Sequence, residues 1–245
     1  MYYSPLEQFK VLPLFVFFHK NFCITNIGLT LIFVFLSILF FQKLISKQYQ
    51  TTIVPSRNSS LHESFYVGVL GLVEDNLGKK GFRFFPFFFV LTYFVLFSNV
   101  LGLVPYSFTT TSHLVVTLAL AFSVFGATTI LTFSVHGLRA FATFLPPKTS
   151  LLLSFLLVPV EILSFLFKPL SLGLRLFANI IAGHTLLKVI GGFSWTIIKK
   201  GGLFFLVHFV HLGLLFLLIG LELGVALLQA YVFLVLILIY LREAI

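Results

Sequence analysis

The chain has 245 residues, of which 59 % are apolar and only 9 % charged, and its mean hydropathy is +1.11. Soluble domains carry about 45–50 % apolar and about 25 % charged residues, so this chain cannot cover a water-facing surface; a soluble enzyme, a disordered chain and a disulfide scaffold are excluded, and an integral membrane protein remains. The formal charge of +9 reads as basic residues flanking spans on one side of a bilayer rather than as a nucleic-acid surface, and the single cysteine, Cys23, excludes an internal disulfide or a cysteine-based metal cluster.

The first apolar run long enough to span is approximately 26–45, flanked by Lys43 and Lys47. It does not read as a cleavable signal, since no basic start precedes it and no small-residue cleavage site follows. Residues 62–80 set Phe65, Val69 and Leu72 against Glu63, Glu74 and Asp75, the pattern of a helix lying in the interface. Two upright spans follow at approximately 83–104 and 113–141. The last two hydrophobic stretches, 148–190 and 201–242, are each about 40 residues, or about 60 Å as continuous helix, twice the hydrocarbon thickness of about 30 Å. Pro159 and Pro169 offer kinks in the first of them; the second has no proline. A long tilted helical hairpin joined through Gly191–Gly202 is the expected arrangement. The fold class is therefore all-α integral membrane, in one membrane domain over 1–245.

Orientation follows the basic residues. Lys43, Lys47, Arg57, Lys79, Lys80, Arg83, Arg139, Lys148 and Arg242 fall at one face, the expected inside or matrix face, against Lys10, Lys20, Lys188, Lys199 and Lys200 at the other.

Ionisable groups at membrane depth are costly and mark pathways. Glu161, Lys168 and Arg175 are seven residues apart and share one helical stripe, while His184, nine beyond Arg175, lies on the opposite side. His211, Glu222 and Gln229, at spacings of 11 and 7, share a face of the last helix. Lys168 can snorkel and His208 can be a hydrogen-bonded packing residue, so neither receives a role. Arg175 cannot lose its proton and needs a carboxylate or water. A haem protein would show paired histidines, a secondary transporter two similar halves, and an ATP-binding chain a P-loop; none is present. These residues suit a proton-carrying membrane protein, without yet separating a motor stator from a rotor-independent pore or a structural membrane scaffold.

The segment Ser171-Leu-Gly-Leu-Arg-Leu-Phe-Ala-Asn-Ile-Ile-Ala-Gly-His184 resembles the family of F-type ATP synthase a subunits, and three more segments agree: Phe97-Ser-Asn-Val-Leu-Gly-Leu-Val-Pro-Tyr-Ser-Phe108, Leu221-Glu-Leu-Gly-Val-Ala-Leu-Leu-Gln-Ala-Tyr-Val-Phe233 and Ser4-Pro-Leu-Glu-Gln-Phe9. The likeness covers nearly the whole chain. It implies an N-terminal span, an interfacial helix, two upright spans and a tilted hairpin set against a rotating c-ring. It implies further that Arg175 separates two proton half-channels and pairs with a c-ring carboxylate. Glu161 matches a carboxylate of the matrix-side half-channel. His184, Glu222 and Gln229 match polar positions of the opposite half-channel, and Asn99 a polar residue of the second span. Asn179, inside the Arg-centred motif, and His211, on the Glu222 face, join the pathway candidates. Many bacterial members carry Glu at the position of His184; the His184 and Glu222 pattern favours a mitochondrial member, multi-pass in the inner membrane. The implied partners are the c-ring, the peripheral stalk, other membrane-sector subunits and the lipid bilayer, with no nucleic acid. No cofactor or metal is implied, and the isolated chain is expected not to be an enzyme.

Overall fold

A computed structural model describes residues 4–16, 23–51, 57–104, 107–137, 151–199 and 204–244. Six α-helices carry the architecture: α1 (Asn26–Thr51), α2 (Arg57–Leu77), α3 (Phe85–Gly102), α4 (Leu114–His136), α5 (Leu151–Ile198) and α6 (Phe204–Ala244). All but α2 are long and apolar enough to cross a membrane. The chain is an all-α integral membrane protein.

Local chemistry sets the helix ends. Thr25 Oγ1 accepts from the Gly28 amide at 3.4 Å and starts α1. Pro86 sits in the first turn of α3, where its missing N–H costs nothing. Gly137, at φ +55°, ends α4 in a conformation that a side chain would resist. Several hydroxyls within the spans bond back to their own helix, as Thr128 does to the Phe125 carbonyl at 2.7 Å. Their polarity is thereby satisfied without a partner from elsewhere.

The core lies where α3, α4, α5 and α6 meet, with Phe88, Val95, Ala121, Leu172, Leu176, Phe233 and Leu238 among its buried members. Gly173 lets α5 cross α4 closely: a Cβ there would lie 3.1 Å from the Thr117 carbonyl oxygen. That crossing fixes the turn of α5 carrying Arg175. Pro169 is fully buried inside α5. Neither it nor Pro159 ends the helix, because an interrupted backbone would strand polar groups in an apolar surrounding.

Several boundaries differ from the sequence expectation. α1 extends to Thr51 rather than ending near residue 45. Gly191 and Gly192, expected in the hairpin joint, are helical, and α5 continues to Ile198. The expected stretches 138–141, 148–150 and 201–203 lie outside the described residues. A short antiparallel pair, β1 (Pro13–Val16) with β2 (Cys23–Thr25), and a 3-10 turn over Pro5–Phe9 precede α1. Further 3-10 turns follow α2 at Gly78–Arg83 and, buried between α3 and α4, at Thr110–Ser112.

Helix α2 buries Val69 and Val73 while Glu63, Glu74 and Asp75 remain exposed. Its His62 sits among rings, with centroids 5.9 Å from Phe89, 6.0 Å from Tyr93 and 6.3 Å from Phe41. Burial lowers the His62 pKa below its ordinary 6.5. The unfolded chain therefore takes up a proton first as pH falls through about 6.5, and native stability declines below that point. His62→Phe is expected to reduce the fall in melting temperature between pH 7 and pH 5.5. An equal fall in variant and wild type would refute this role for the imidazole.

Candidate functional site

Helices α5 and α6 run antiparallel, and halfway along their contact they close over a polar cluster. His184 of α5 and Glu222 of α6 approach to 3.9 Å between Nε2 and Oε1, with side chains 17 % and 7 % exposed. That distance exceeds a direct hydrogen bond. A small side-chain movement or one bridging water would close it. Two turns further along α6, Asn179 Nδ2 donates to Gln229 Oε1 at 3.0 Å across the same interface. Asn99 enters from α3 and is fully buried. Asn99, Asn179, Glu222 and Gln229 converge on a cavity of about 10 Å³, the lower limit for one water.

The cluster is under-satisfied. Both amide atoms of Asn99, both carboxyl oxygens of Glu222, His184 Nε2 and Gln229 Nε2 are buried without a hydrogen-bond partner among the described residues. Each such group costs about 1–3 kcal/mol in an ordinary interior. A well-packed apolar seam would be more stable here, so the grouping points to chemistry rather than to stability.

Gly183 makes the seat of Glu222. A Cβ at Gly183 would lie 2.5 Å from Glu222 Oε1 and 2.8 Å from its Cδ. Only glycine leaves room for the carboxyl group against α5.

Arg175 lies elsewhere on the same helix. It is exposed, on a face shared with Ser171, Leu174, Ala178 and Ala182, and makes no ion pair among the described residues. The phase of α5 turns Leu172 and Leu176 into the core and Arg175 outward. Ser171, Ala178 and Ala182 on this face are small enough for a facing helix to approach closely. Glu161 is part-buried, fourteen residues before Arg175, about 21 Å along the helix axis. His184 lies nine residues beyond it, about 13 Å the other way. Glu161 and the polar cluster are thus offset to opposite sides of Arg175.

The remaining candidates separate. His211 is not in the cluster; its Nδ1 pairs with the Val207 carbonyl of its own helix at 3.0 Å. His208 Nδ1 shares a hydrogen bond with Ser194 Oγ at 2.8 Å and ties the ends of the two long helices. Lys168 Nζ lies 5.1 Å from the Tyr240 ring centroid, a cation–π contact between α5 and α6. Sequence reasoning missed Gly183 and Phe9, whose ring meets His184 edge-on. The Gly183-His184 pair was the available signal for the first; no local signal points to the second.

A family model described as ATP synthase A chain matches residues 27–242. The chain is 49 % identical to ATP synthase subunit a of Pylaiella littoralis, covering 100 % of this chain and 99 % of that protein. It is 44 % identical to the Chondrus crispus protein of the same name, covering 98 % and 95 %. The corresponding figures for Marchantia polymorpha are 42 %, 99 % and 98 %.

Proposed function

The chain belongs to the ATP synthase A chain family, and we propose that in the membrane sector of that complex it is the stator against which a c-ring turns, supplying two offset proton half-channels in the mitochondrial inner membrane. Its partners on this reading are the c subunits, the peripheral stalk and the other membrane-sector subunits. The chain makes and breaks no covalent bond of ATP; it moves protons.

The observation that carries the reading is Arg175, a permanent charge on an exposed face midway along a 48-residue apolar helix, with no carboxylate partner among the described residues. A guanidinium in such surroundings needs a countercharge, and a carboxylate on a partner helix supplies one. At 4 Å and an effective dielectric of about 20 the attraction is about 4 kcal/mol. A proton falling through 100 mV supplies about 2.3 kcal/mol, the same order, so the pair can form and part once per proton. The fixed charge also repels a proton crossing directly between the half-channels.

The offset of the two acidic positions supports the rest. His184 and Glu222 receive protons from the side opposite the matrix and hand them to the c-ring carboxylate. The neutralised carboxyl group then faces lipid at low cost and turns through the membrane. Glu161 accepts the proton on the matrix side. Asn99, Asn179 and Gln229 hold the intervening water by hydrogen bonds. His211 lies toward the outer end of α6, where it can join only the approach to this path.

Reconstituting the chain in vesicles with and without its c-ring tests the assignment. Proton flux is expected to rise at least about tenfold with the ring, since the carrier otherwise is missing. Equal flux without the ring would make the chain a pore.

A further inference from the structure

The polar cluster is sealed at one flank by a part of the chain far away in sequence. The 3-10 turn Pro5–Phe9 packs against α5, and the Phe9 ring stands edge-on to the His184 imidazole, with centroids 6.2 Å apart and planes at 74°. His184 Nε2 is buried, with less than 1 Å² of accessible surface.

This segment is braced. Asn26, at the start of α1, donates from Nδ2 to the Lys10 carbonyl at 2.9 Å and accepts at Oδ1 from the Leu12 amide at 3.2 Å. Its own amide donates to the Leu12 carbonyl at 3.1 Å. The 3-10 turn is closed by the Glu7 amide on the Ser4 carbonyl at 3.1 Å, and Lys10 pairs with Glu7 at 3.7 Å. Three bonds from Asn26 to backbone groups of Lys10 and Leu12 tie this segment to the start of α1, as a loose tail would not be.

We propose that Ser4–Lys10 is a fixed cover over His184, that Phe9 controls how readily outer water reaches the imidazole, and that Asn26 is the positioning residue that holds the cover in place. The inference rests on the reading of His184 as a proton-relay group. An apolar ring against the imidazole excludes bulk water from one side and leaves exchange to the Glu222 side. Protons then pass singly along the cluster instead of through an open aqueous mouth. Phe9 touches the relay residue but exchanges no proton.

The test uses the assembled complex in membranes, with diethyl pyrocarbonate added from the outer side and acylation of His184 followed by mass spectrometry. Phe9→Ala is expected to accelerate His184 modification about three- to tenfold, the range set by loss of one aromatic contact. Asn26→Ala is expected to do the same without touching the ring contact itself, and Phe9→Trp to return the rate to the wild-type value. Should Phe9→Ala fail to assemble, Asn26→Ala and Phe9→Leu decide the matter. Wild-type modification rates in the assembled variants would overturn the cover. The relay reading fails separately: His184→Ala would retain full ATP-driven pumping, whatever the labelling rates in the Phe9 and Asn26 variants.

Discussion

Arg175→Ala is expected to abolish both ATP-driven proton pumping and proton-driven synthesis while the complex still assembles. The side chain is exposed and makes no ion pair among the described residues, so its loss leaves no orphaned partner within the chain. Surface substitutions of that kind change stability by about 0.5 kcal/mol or less. The functional loss is much larger, because an attraction of about 4 kcal/mol corresponds to about a thousandfold change in the population of the paired state. Arg175→Lys is expected to remain at least about tenfold impaired: its compact ammonium lacks the planar fork, and it can shed its proton in an apolar surrounding. Dye quenching in inverted membrane vesicles, with assembly checked on native gels, reads both variants. Normal coupled pumping in assembled Arg175→Ala complexes would remove Arg175 from the mechanism.

The spans were legible because apolar length is a local property. The exact ends were less so: Pro86 and Gly137 set the start of α3 and the end of α4, and the apolar runs 83–104 and 113–141 passed over both. Gly191 and Gly192 misled because glycine interrupts a helix where water can take over the freed backbone groups. Here both lie within the long apolar helix α5, which continues through them to Ile198. The proximity of His184 and Glu222 was legible in outline: two antiparallel helices with matching polar phases must bring such groups together.

Arg175 shows the limit of phase arguments. Seven-residue spacing puts Glu161, Lys168 and Arg175 on one stripe, but at different depths along α5 that stripe meets different neighbours: Lys168 meets Tyr240, and Arg175 faces outward. Whether that face meets core, lipid or another chain depends on α4 crossing at Gly173, a contact between residues more than fifty positions apart. Asn99 became a site residue only through the family likeness, since a lone Asn in a span has no partner visible in its own helix. Phe9 is separated from His184 by most of the chain, and no period connects them.

Gly183→Ala is expected to cut proton-driven ATP synthesis at least about tenfold by displacing a side chain on the neighbouring helix. The new methyl would come within 2.5 Å of Glu222 Oε1 and 3.1 Å of its Cγ. Glu222 is only 6 % exposed, so it has little room to withdraw. Overpacking of this kind costs about 1–3 kcal/mol, partly offset by the gain of about 1 kcal/mol for alanine over glycine within a helix. The complex should therefore assemble with a working face whose carboxyl group has moved away from His184. Glu222→Gln, which keeps shape and loses the titratable proton, should be at least as inactive while retaining the packing. Glu222→Asp withdraws the carboxyl by one methylene and should lose activity alone, but combined with Gly183→Ala it should recover part of the loss, since the shorter side chain clears the added methyl. That non-additivity is the signature of direct contact. Full synthesis in Gly183→Ala, or a double variant no better than the worse of its parents, would show that the seat of Glu222 does not govern proton uptake.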